Sequence, residues 1–238
     1  MTPFSAKEPV RQLLLEDVSD NADGLRCAFD LIVQGYTRLA SSDITGEMLR
    51  EILCNDIYHR AGLARTLLLT GLVGESDVRQ PLGTVRILPS SERVAAAYGV
   101  PPLEAMELMA PADGWSHFQF QEFSLDRTVE GGRIVVGPVC RSEAGRRWGL
   151  PALILRELVA GGYRTAVQKF GKTQYWGILP DYMVTRMEPL GFRIIRAPSV
   201  CCRKQQNARL FQTFGKYWLE SNPSFCRVIL EPDGQRFN

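Results

Sequence analysis

The sequence predicts an α/β fold around one mostly antiparallel sheet that is flanked by helices. Helix-like segments come first, several strand-like segments follow, and a long helical segment then precedes alternating strands and helices. That order contains no internal repeat and no linker, which favours a single sheet with helices packed against it. The 238 residues are 45% hydrophobic, so we expect one domain over residues 1–238 with a substantial core.

Two amphipathic segments predict a helical region at about 21–60. In residues 21–40 apolar side chains recur at helical spacing, and Asp20 or Asn21 is placed to cap the helix. Residues 45–57 repeat that spacing over a shorter apolar face. The strand-like segments that follow are 64–72, 83–88, 118–123 and 133–139.

The second half of the chain predicts a long helix and then shorter elements. Pro151 favours the first turn of a helix that runs to Phe170 and stops at Gly171. The remaining predicted elements are a strand at 173–179, a helix at 180–190, and strands at 192–195 and 225–230.

Ionisable residues stand inside two of these strand-like segments. Arg86 lies within residues 83–89, and Glu122 and Arg127 lie within residues 121–129. An unpaired charge is expensive to bury, so such residues indicate either an ion pair or a functional site. Glu122 therefore has two interpretations: a general base that acts through a water, or the partner of Arg86 or Arg127 in a structural ion pair.

Composition excludes several kinds of site. The six cysteines show no Cys-x-x-Cys spacing, and neither His59 nor His117 stands beside a nucleophile motif. We therefore expect no metal site, disulfide scaffold or Ser/His machinery. No apolar run approaches the roughly 20 residues that span a bilayer, and residues 1–16 do not resemble a secretory signal. These features predict a cytoplasmic protein without a transmembrane segment.

Charge is distributed unevenly along the chain. Residues 1–140 hold 12 Lys and Arg against 19 Asp and Glu, a net charge of −7, whereas residues 141–216 hold 14 against 4, a net charge of +10. A basic surface of this kind attracts a phosphorylated ligand or an acidic partner protein. It lacks the motifs of nucleic-acid-binding proteins, so we expect no nucleic acid partner. A solvated basic face without a partner stays an open alternative.

The basic block begins with a turn that suits a phosphate. Arg146, Arg147 and the backbone amides near Gly149 precede the long predicted helix. Because helix N-termini bind anions through free N–H groups, these residues are candidate ligands for a phosphate.

Several segments, in order, form a pattern. Residues 83–89 read Gly-Thr-Val-Arg-Ile-Leu-Pro, Leu103-Glu104 follows, and Glu122-x-Ser124 comes next; residues 171–176 and 189–192 complete the set. This ordered set resembles the GNAT acyltransferases, and within them the branch of acyl-homoserine lactone synthases and long-chain N-acyl amino acid synthases. The departures are Leu125, where that branch has an arginine, and Pro151, where GNAT proteins carry a small residue.

The resemblance implies a GNAT-like mixed sheet in which two parallel strands splay apart. An acyl thioester would lie in the gap, between residues 173–179 and either 118–123 or 133–139. It implies an N-acyltransferase with no bound cofactor that takes a fatty acyl group from acyl carrier protein or CoA and passes it to a small-molecule amine. Glu122 and Ser124 are the implied catalytic residues. Arg86, Arg127, Phe29, Tyr36 and Trp176 are the implied substrate-binding residues, and Arg146, Arg147 and Gly149 the implied phosphopantetheine-binding residues.

The partner that the resemblance implies is an acidic acyl carrier protein. Basic residues that could form its docking rim are Lys169, Lys172, Arg203, Lys204 and Arg209. Two alternatives stay open: an acyl-homoserine lactone synthase of quorum sensing, which uses S-adenosylmethionine, and a non-catalytic module that binds a partner.

Overall fold

One mixed sheet organises the part of the chain that the computed structural model describes, residues 10–37, 39, 44–109, 123–197 and 222–230. Its strands are β1 Val10–Asp17, β2 Arg65–Val73, β3 Arg79–Pro89, β4 Thr128–Val136, β5 Gln174–Leu179, β6 Phe192–Arg196 and β7 Ser224–Leu230. They lie in the order β1-β2-β3-β4-β5-β7-β6, and within the described ranges β4 and β5 form the one parallel pair. The expectation of a mixed, mostly antiparallel sheet is confirmed.

Helices flank this sheet. They are α1 Ala22–Tyr36, α2 Gly46–Cys54, α3 Ile57–Arg60, α4 Glu92–Tyr98, α5 Glu104–Met109, α6 Pro138–Arg141, α7 Glu143–Arg147, α8 Leu150–Phe170 and α9 Asp181–Met187. No helix within the described ranges combines the length and the hydropathy that a bilayer crossing needs.

The two faces of the sheet bury different helices. Alternate side chains of a strand point to opposite faces, and in β2 Leu67 and Leu69 pack into the cluster that contains α8, whereas Leu68 packs against α1. This two-sided burial explains why the β2 segment reads as a nearly continuous apolar run. The central strands are therefore covered by α8 on one face and by α1 on the other.

The helix boundaries follow local signals that the sequence contains. Asn21 caps α1, since its Oδ1 accepts hydrogen bonds from the backbone N–H groups of Asp23 and Gly24, both at 3.1 Å. Gly171 ends α8 in a left-handed conformation, with φ of 62°. Both predictions are confirmed.

The helix predicted over 45–57 divides into two. Thr45 caps α2, whose last residue is Cys54, and Asp56 then caps α3 by accepting the N–H of Tyr58 at 2.9 Å. The break matters because it places Asp56 at the cap of α3, where its carboxylate pairs with Arg86 of β3.

Two strand predictions need correction. β1 was not expected, because its register with β2 shifts at a bulge near Gln12 (φ 52°), which interrupts the alternation of side chains. Two further predicted segments are also wrong in their bounds: the strand predicted to end at residue 123 and the strand-like segment that contains Arg127. Phe123 and Ser124 lie in a loop and Leu125–Arg127 forms one 3₁₀ turn, so that the strand begins at Thr128. Residues 118–122 lie outside the described residues.

Candidate active site

The parallel strands β4 and β5 separate and leave a cavity between them. Their register ends with the pair Glu130 and Trp176, and beyond this pair no described strand is hydrogen-bonded to either of the two facing edges. The gap opens into a cavity of about 740 Å³. Its lining comes from α1 (Gly35, Tyr36), the following Leu39, β4 (Gly131–Val136), α6 to α8 (Arg141, Arg146, Pro151, Ala152, Leu155) and the β5–α9 region (Ile178–Pro180, Tyr182, Met183, Arg186, Leu190). Of the two predicted locations for the strand beside β5, the one at 133–139 overlaps β4, which starts five residues earlier, at Thr128, and ends three residues earlier, at Val136.

A bulge in β4 produces the separation. The register with β3 shifts between Thr84 and Arg86, so β4 carries an extra residue there, and Arg133 adopts a φ of 50°. Such bulges bend a strand and increase its twist. Positive φ is unfavourable for a residue with a side chain, and the ion pairs that Arg133 forms hold it there.

A buried cluster of five ionisable residues lies beside the cavity, and we call Asp56, Arg86, Glu104, Glu130 and Arg133 the charge cluster. Arg86 donates to Asp56 Oδ2 at 2.8 Å and also pairs with Glu104. Arg133 donates to Glu104 Oε1 at 3.0 Å and also pairs with Asp56. The Arg86 side chain is 3% exposed and that of Asp56 is 1% exposed, so these ion pairs are desolvated. Removing one member of the cluster would leave a buried charge without its partner.

Four different elements deliver these side chains. Arg86 stands on β3, Arg133 on the β4 bulge, Asp56 at the cap of α3, and Glu104 at the first residue of α5. The cluster therefore ties the helical region 44–60 to the middle of the sheet.

Glu130 differs from the other acids of the charge cluster because it forms no ion pair with another residue in the described ranges. Its residue is 5% exposed, and its Oε2 accepts the backbone N–H of Ala105 at 3.0 Å. Burial, with added repulsion from Glu104, raises the pKa of Glu130 to about 7, against the opposing attraction of Arg86. A carboxyl with that pKa exchanges a proton near neutral pH.

Gly132 leaves a passage between Glu130 and the cavity. Gly132 lines the cavity, and a Cβ placed on it would lie 3.9 Å from Glu130 Oε1 and 4.0 Å from Arg86 Nη2. Glu130 does not itself line the cavity, and a side chain on Gly132 would stand between its carboxyl and the cavity.

Three arginines also line the cavity. They are Arg141, Arg146 and Arg186, and none of them forms an ion pair with another described residue. Arg141 Nε is buried without a hydrogen-bond partner, and Arg186 lies over the ring of Tyr182 at 5.4 Å. Uncompensated guanidinium groups suit phosphate or carboxylate.

The N-terminus of α8 also lies at the cavity. Gly149, with φ of 69°, is the cap residue, and no side chain caps the first turn. Pro151 lines the cavity but offers no N–H. Arg147 points to a different partner, since its guanidinium donates to the exposed Glu143 at 2.6 Å. Of the candidate phosphate ligands, Arg146 thus lines the cavity and Arg147 does not.

The candidate acceptor-side residues separate into two groups. Tyr36 lines the cavity, and burial raises the pKa of its phenol to about 12. Phe29 packs in the α1 core, with its ring edge-on to His59 at 5.5 Å between centroids. Arg86 is enclosed in the charge cluster and does not line the cavity, so its guanidinium has carboxylate partners of the protein itself.

The remaining candidates lie at the opposite end of β4 or in the core. The Ser124 backbone N–H donates to Gln174 Oε1 at 3.1 Å, near the start of β5, and Arg127 is exposed beside it. Trp176 is fully buried and stacks on Phe225, with 4.9 Å between centroids. Glu122 lies outside the described residues.

The candidate docking rim is partly engaged in the fold. Lys169 donates to Asp17 at 2.7 Å, and Lys172 donates to the carbonyl oxygens of Ser90 at 3.1 Å and of Asp126 at 2.6 Å. The other three rim candidates, Arg203, Lys204 and Arg209, lie outside the described residues.

Sequence reasoning missed Glu130 and Arg133, although a signal was available. The run Glu130-Gly131-Gly132-Arg133 has the spacing of the Glu-x-Ser-Arg strand of the resembling branch, with glycine at the serine position. The competing match at Glu122-x-Ser124 keeps the serine and lacks the arginine. Arg141 and Arg186 belong to no sequence motif, and only the three-dimensional structure shows that they line the cavity.

No family model and no curated protein matches the sequence. Among solved structures, a GNAT-family acetyltransferase from Staphylococcus aureus is similar at 11% identity, with 92% of this chain and 100% of that chain covered and a TM-score of 0.46. The AHL synthase LasI is similar at 12% identity, 94% and 93% coverage and 0.48. The CoA-dependent acyl-homoserine lactone synthase BjaI is similar at 16% identity, 92% and 83% coverage and 0.45.

Proposed function

We propose that this protein is an N-acyltransferase that moves a fatty acyl group from a thioester to the amine of an amino acid or a related small molecule. The observation that carries the proposal is the cavity between the splayed strands β4 and β5. Three arginines without an ion-pair partner among the described residues line this cavity, and so does Gly132, beside the buried Glu130 carboxyl with its near-neutral pKa.

The donor fits the shape and charge of the cavity. Beyond Glu130 and Trp176, the facing edges of β4 and β5 offer backbone groups that pair with no described strand. An extended chain that contains amides can pair with such edges. Arg141, Arg146 and Arg186 suit the phosphate of the pantetheine arm. CoA and acyl carrier protein both present this phosphate, so both are included in the proposal, and an acidic carrier protein would add attraction to the basic half of the chain.

The reaction needs a base but no protein nucleophile. The amine nitrogen attacks the thioester carbonyl carbon, the nitrogen–carbon bond forms, and the carbon–sulfur bond breaks to release a thiolate. The amine must lose a proton, which the ionised Glu130 accepts through the passage at Gly132 and which finally goes to the thiolate or to solvent. Glu122 stays the base that the sequence predicts, and it is tested beside Glu130.

Arg86 is better assigned to positioning than to binding the acceptor. Its two carboxylate partners already occupy the guanidinium, and it does not line the cavity. In the proposed enzyme Arg86 holds Asp56 and Glu104 in place and limits the rise of the pKa of Glu130, because its positive charge favours the ionised form.

The charge cluster also supports a second candidate, an acyl-homoserine lactone synthase that uses S-adenosylmethionine. Three acids face two arginines in this cluster, so it carries one excess negative charge when Glu130 is ionised. That excess favours a cationic acceptor, and S-adenosylmethionine carries a sulfonium as well as an ammonium group. The third reading, a partner-binding module without activity, keeps the cavity but predicts no turnover.

A thiol-release assay tests the proposal. Acyl-CoA and acyl-carrier-protein substrates of several chain lengths are incubated with amino acids or with S-adenosylmethionine, and the products are identified by mass spectrometry. N-acyl amino acids support the first candidate, and acyl-homoserine lactones support the second. If neither Glu130→Gln nor Glu122→Gln changes the rate of thiol release, carboxylate base catalysis is refuted. If no acceptor leads to thiol release, the partner-binding module without activity is the remaining candidate.

A further inference from the structure

The wall of the cavity contains a tyrosine, Tyr36, that has no part in the reaction described above. Tyr36 is the last residue of α1. It lines the cavity together with residues 131–136 of β4, which lie where β4 and β5 separate. A ligand that fills the cavity beside these strand residues therefore also meets Tyr36.

A glycine brings the end of α1 against β4. A Cβ on Gly35 would lie 2.7 Å from Cγ1 of Val135, so a larger residue at position 35 would displace Val135. Val135 stands on β4 beyond the pair Glu130 and Trp176, in the stretch that has separated from β5, and both Gly35 and Val135 line the cavity. This close approach places the next residue, Tyr36, at the gap between the two parallel strands.

The neighbours of Tyr36 define its place within the cavity. Its phenol is close enough to Arg133 and Glu104 of the charge cluster, and to Tyr182 of α9, for these groups to influence its ionisation. The ring of Tyr182 in turn lies beneath the guanidinium of Arg186, one of the three arginines that line the cavity. Tyr36 thus lies near both the charge cluster and a candidate ligand of the phosphate.

In the proposed enzyme the thioester carbonyl belongs in the same place. The arginines hold the phosphate of the pantetheine arm, and the amine approaches beside Glu130, so the carbonyl that joins the two reactants lies between these groups. Tyr182 also carries a hydroxyl at the cavity, but this residue is 44% exposed. A donor acts more strongly on a developing charge where water is excluded, which favours the more enclosed Tyr36.

We propose that the Tyr36 hydroxyl donates a hydrogen bond to the carbonyl oxygen of the acyl thioester while the amine attacks. The proposal rests on the proposed acyltransferase function and adds a residue to it. Negative charge develops on this oxygen in the transition state, and an oriented donor stabilises it. Only the nitrogen–carbon bond forms and only the carbon–sulfur bond breaks. The amine gives its proton to Glu130, and Tyr36 keeps its own.

The pKa of Tyr36 decides between a hydrogen-bond donor and an acid. Burial raises the pKa of this phenol from 10.0 to about 12, whereas a free cysteine thiol has a pKa of about 8.5. Transfer of the phenol proton to a leaving thiolate is therefore unfavourable. Sulfur is also a weak hydrogen-bond acceptor, so the hydroxyl is assigned to the carbonyl oxygen.

Replacement by phenylalanine tests the role. In Tyr36→Phe we expect kcat to fall by about 100-fold, the lower end of the range for loss of one oxyanion donor. KM should change less, because the hydrogen bond is strongest in the transition state. Tyr163→Phe is the matched control, since Tyr163 packs against the core from α8 and does not line the cavity. A Tyr36→Phe enzyme that has the kcat of the wild type, or that changes only in KM, would overturn the proposal while leaving the acyltransferase function standing.

A binding measurement tests the same hydrogen bond without turnover. The probe is a ketone analogue of an acyl-CoA, in which a methylene separates the sulfur from a ¹³C-labelled carbonyl. Infrared spectroscopy should show a lower carbonyl stretching frequency on the wild type than on Tyr36→Phe, and equal frequencies would contradict the proposal. If Tyr36→Phe does not fold, 3-fluorotyrosine at position 36 keeps the hydroxyl and makes it a stronger donor, and an unchanged frequency there is the contradicting result. A wild type that binds the analogue neither on CoA nor on a carrier protein overturns both proposals.

Discussion

Replacing Glu130 by glutamine should weaken activity and strengthen the fold at the same time. Glutamine has nearly the same shape, and its amide oxygen can keep the hydrogen bond from the N–H of Ala105. It cannot accept the proton of the attacking amine. Loss of a general base usually lowers the rate by ~100- to 10,000-fold, and we expect kcat/KM of Glu130→Gln to fall by at least about 100-fold.

The gain in stability follows from the pKa of Glu130. Burial raises that pKa from 4.5 to about 7, so the folded protein holds a proton between these values that the unfolded chain has lost. Stability from this group is therefore complete below pH 4.5 and is lost as the pH rises to about 7. At 1.36 kcal/mol per pKa unit the loss is about 3 kcal/mol. Glutamine carries no charge and avoids it, so Glu130→Gln should be more stable than the wild type by up to about 3 kcal/mol at pH 8.

Two measurements check this reasoning together. Urea unfolding at pH 5 and pH 8 should show a difference between Glu130→Gln and wild type that grows with pH, whereas Glu51→Gln, an exposed carboxylate on α2, should show little change. The kcat/KM of the wild type should rise with pH and level off above about pH 7, because the base must be ionised. A variant that keeps near-normal turnover, or that is less stable than the wild type at pH 8, would refute the assignment of Glu130 as a buried base.

Three further predictions concern the rest of the site. Arg86→Met removes one of the two arginines that neutralise Asp56 and Glu104 and leaves Arg133 facing both buried acids. We expect a loss of about 3–5 kcal/mol in the free energy of unfolding, measured in urea. Arg141→Gln should raise the KM for acyl-CoA by about 10-fold with little change in Tm, whereas the control Arg147→Gln, whose side chain pairs on the surface, should leave KM unchanged; equal effects would contradict an anion site at Arg141. Gly132→Val should lower kcat by at least about 10-fold without unfolding the protein, because its methyl groups fill the passage to the Glu130 carboxyl, and circular dichroism with steady-state kinetics will show whether it does.

The elements that sequence predicts well are those whose signals are local. Asn21 predicts the start of α1 and Gly171 predicts the end of α8. Each boundary depends on a side chain or a φ angle within a few residues. β1 was missed for the opposite reason. It is an edge strand whose bulge at Gln12 breaks the alternation, and only its pairing with β2 defines it.

The candidate site was harder to predict because its contacts are distant in sequence. A charge inside the β3 strand correctly marked Arg86 as paired or functional. Its partners, however, lie 30 residues earlier at Asp56 and 18 residues later at Glu104, where helix ends deliver them. The choice between Glu122 and Glu130 depended on where a strand begins and on the bulge at Arg133, and neither is encoded in a local pattern.

The composition of the charge cluster argues for proton transfer rather than for stability. Two arginines neutralise Asp56 and Glu104, and a structural cluster would be complete with those four residues. Glu130 is a third buried acid, whose pKa is raised by burial and by repulsion from Glu104, so that its ionisation weakens the fold as the pH rises from 4.5 to about 7. When Glu130 is protonated the cluster is neutral, and when it is ionised the cluster carries one negative charge beside the cavity. In the proposed enzyme, an ammonium acceptor that enters the cavity would meet this negative charge and give up its proton to the cluster. It would then be the neutral amine that can attack a thioester.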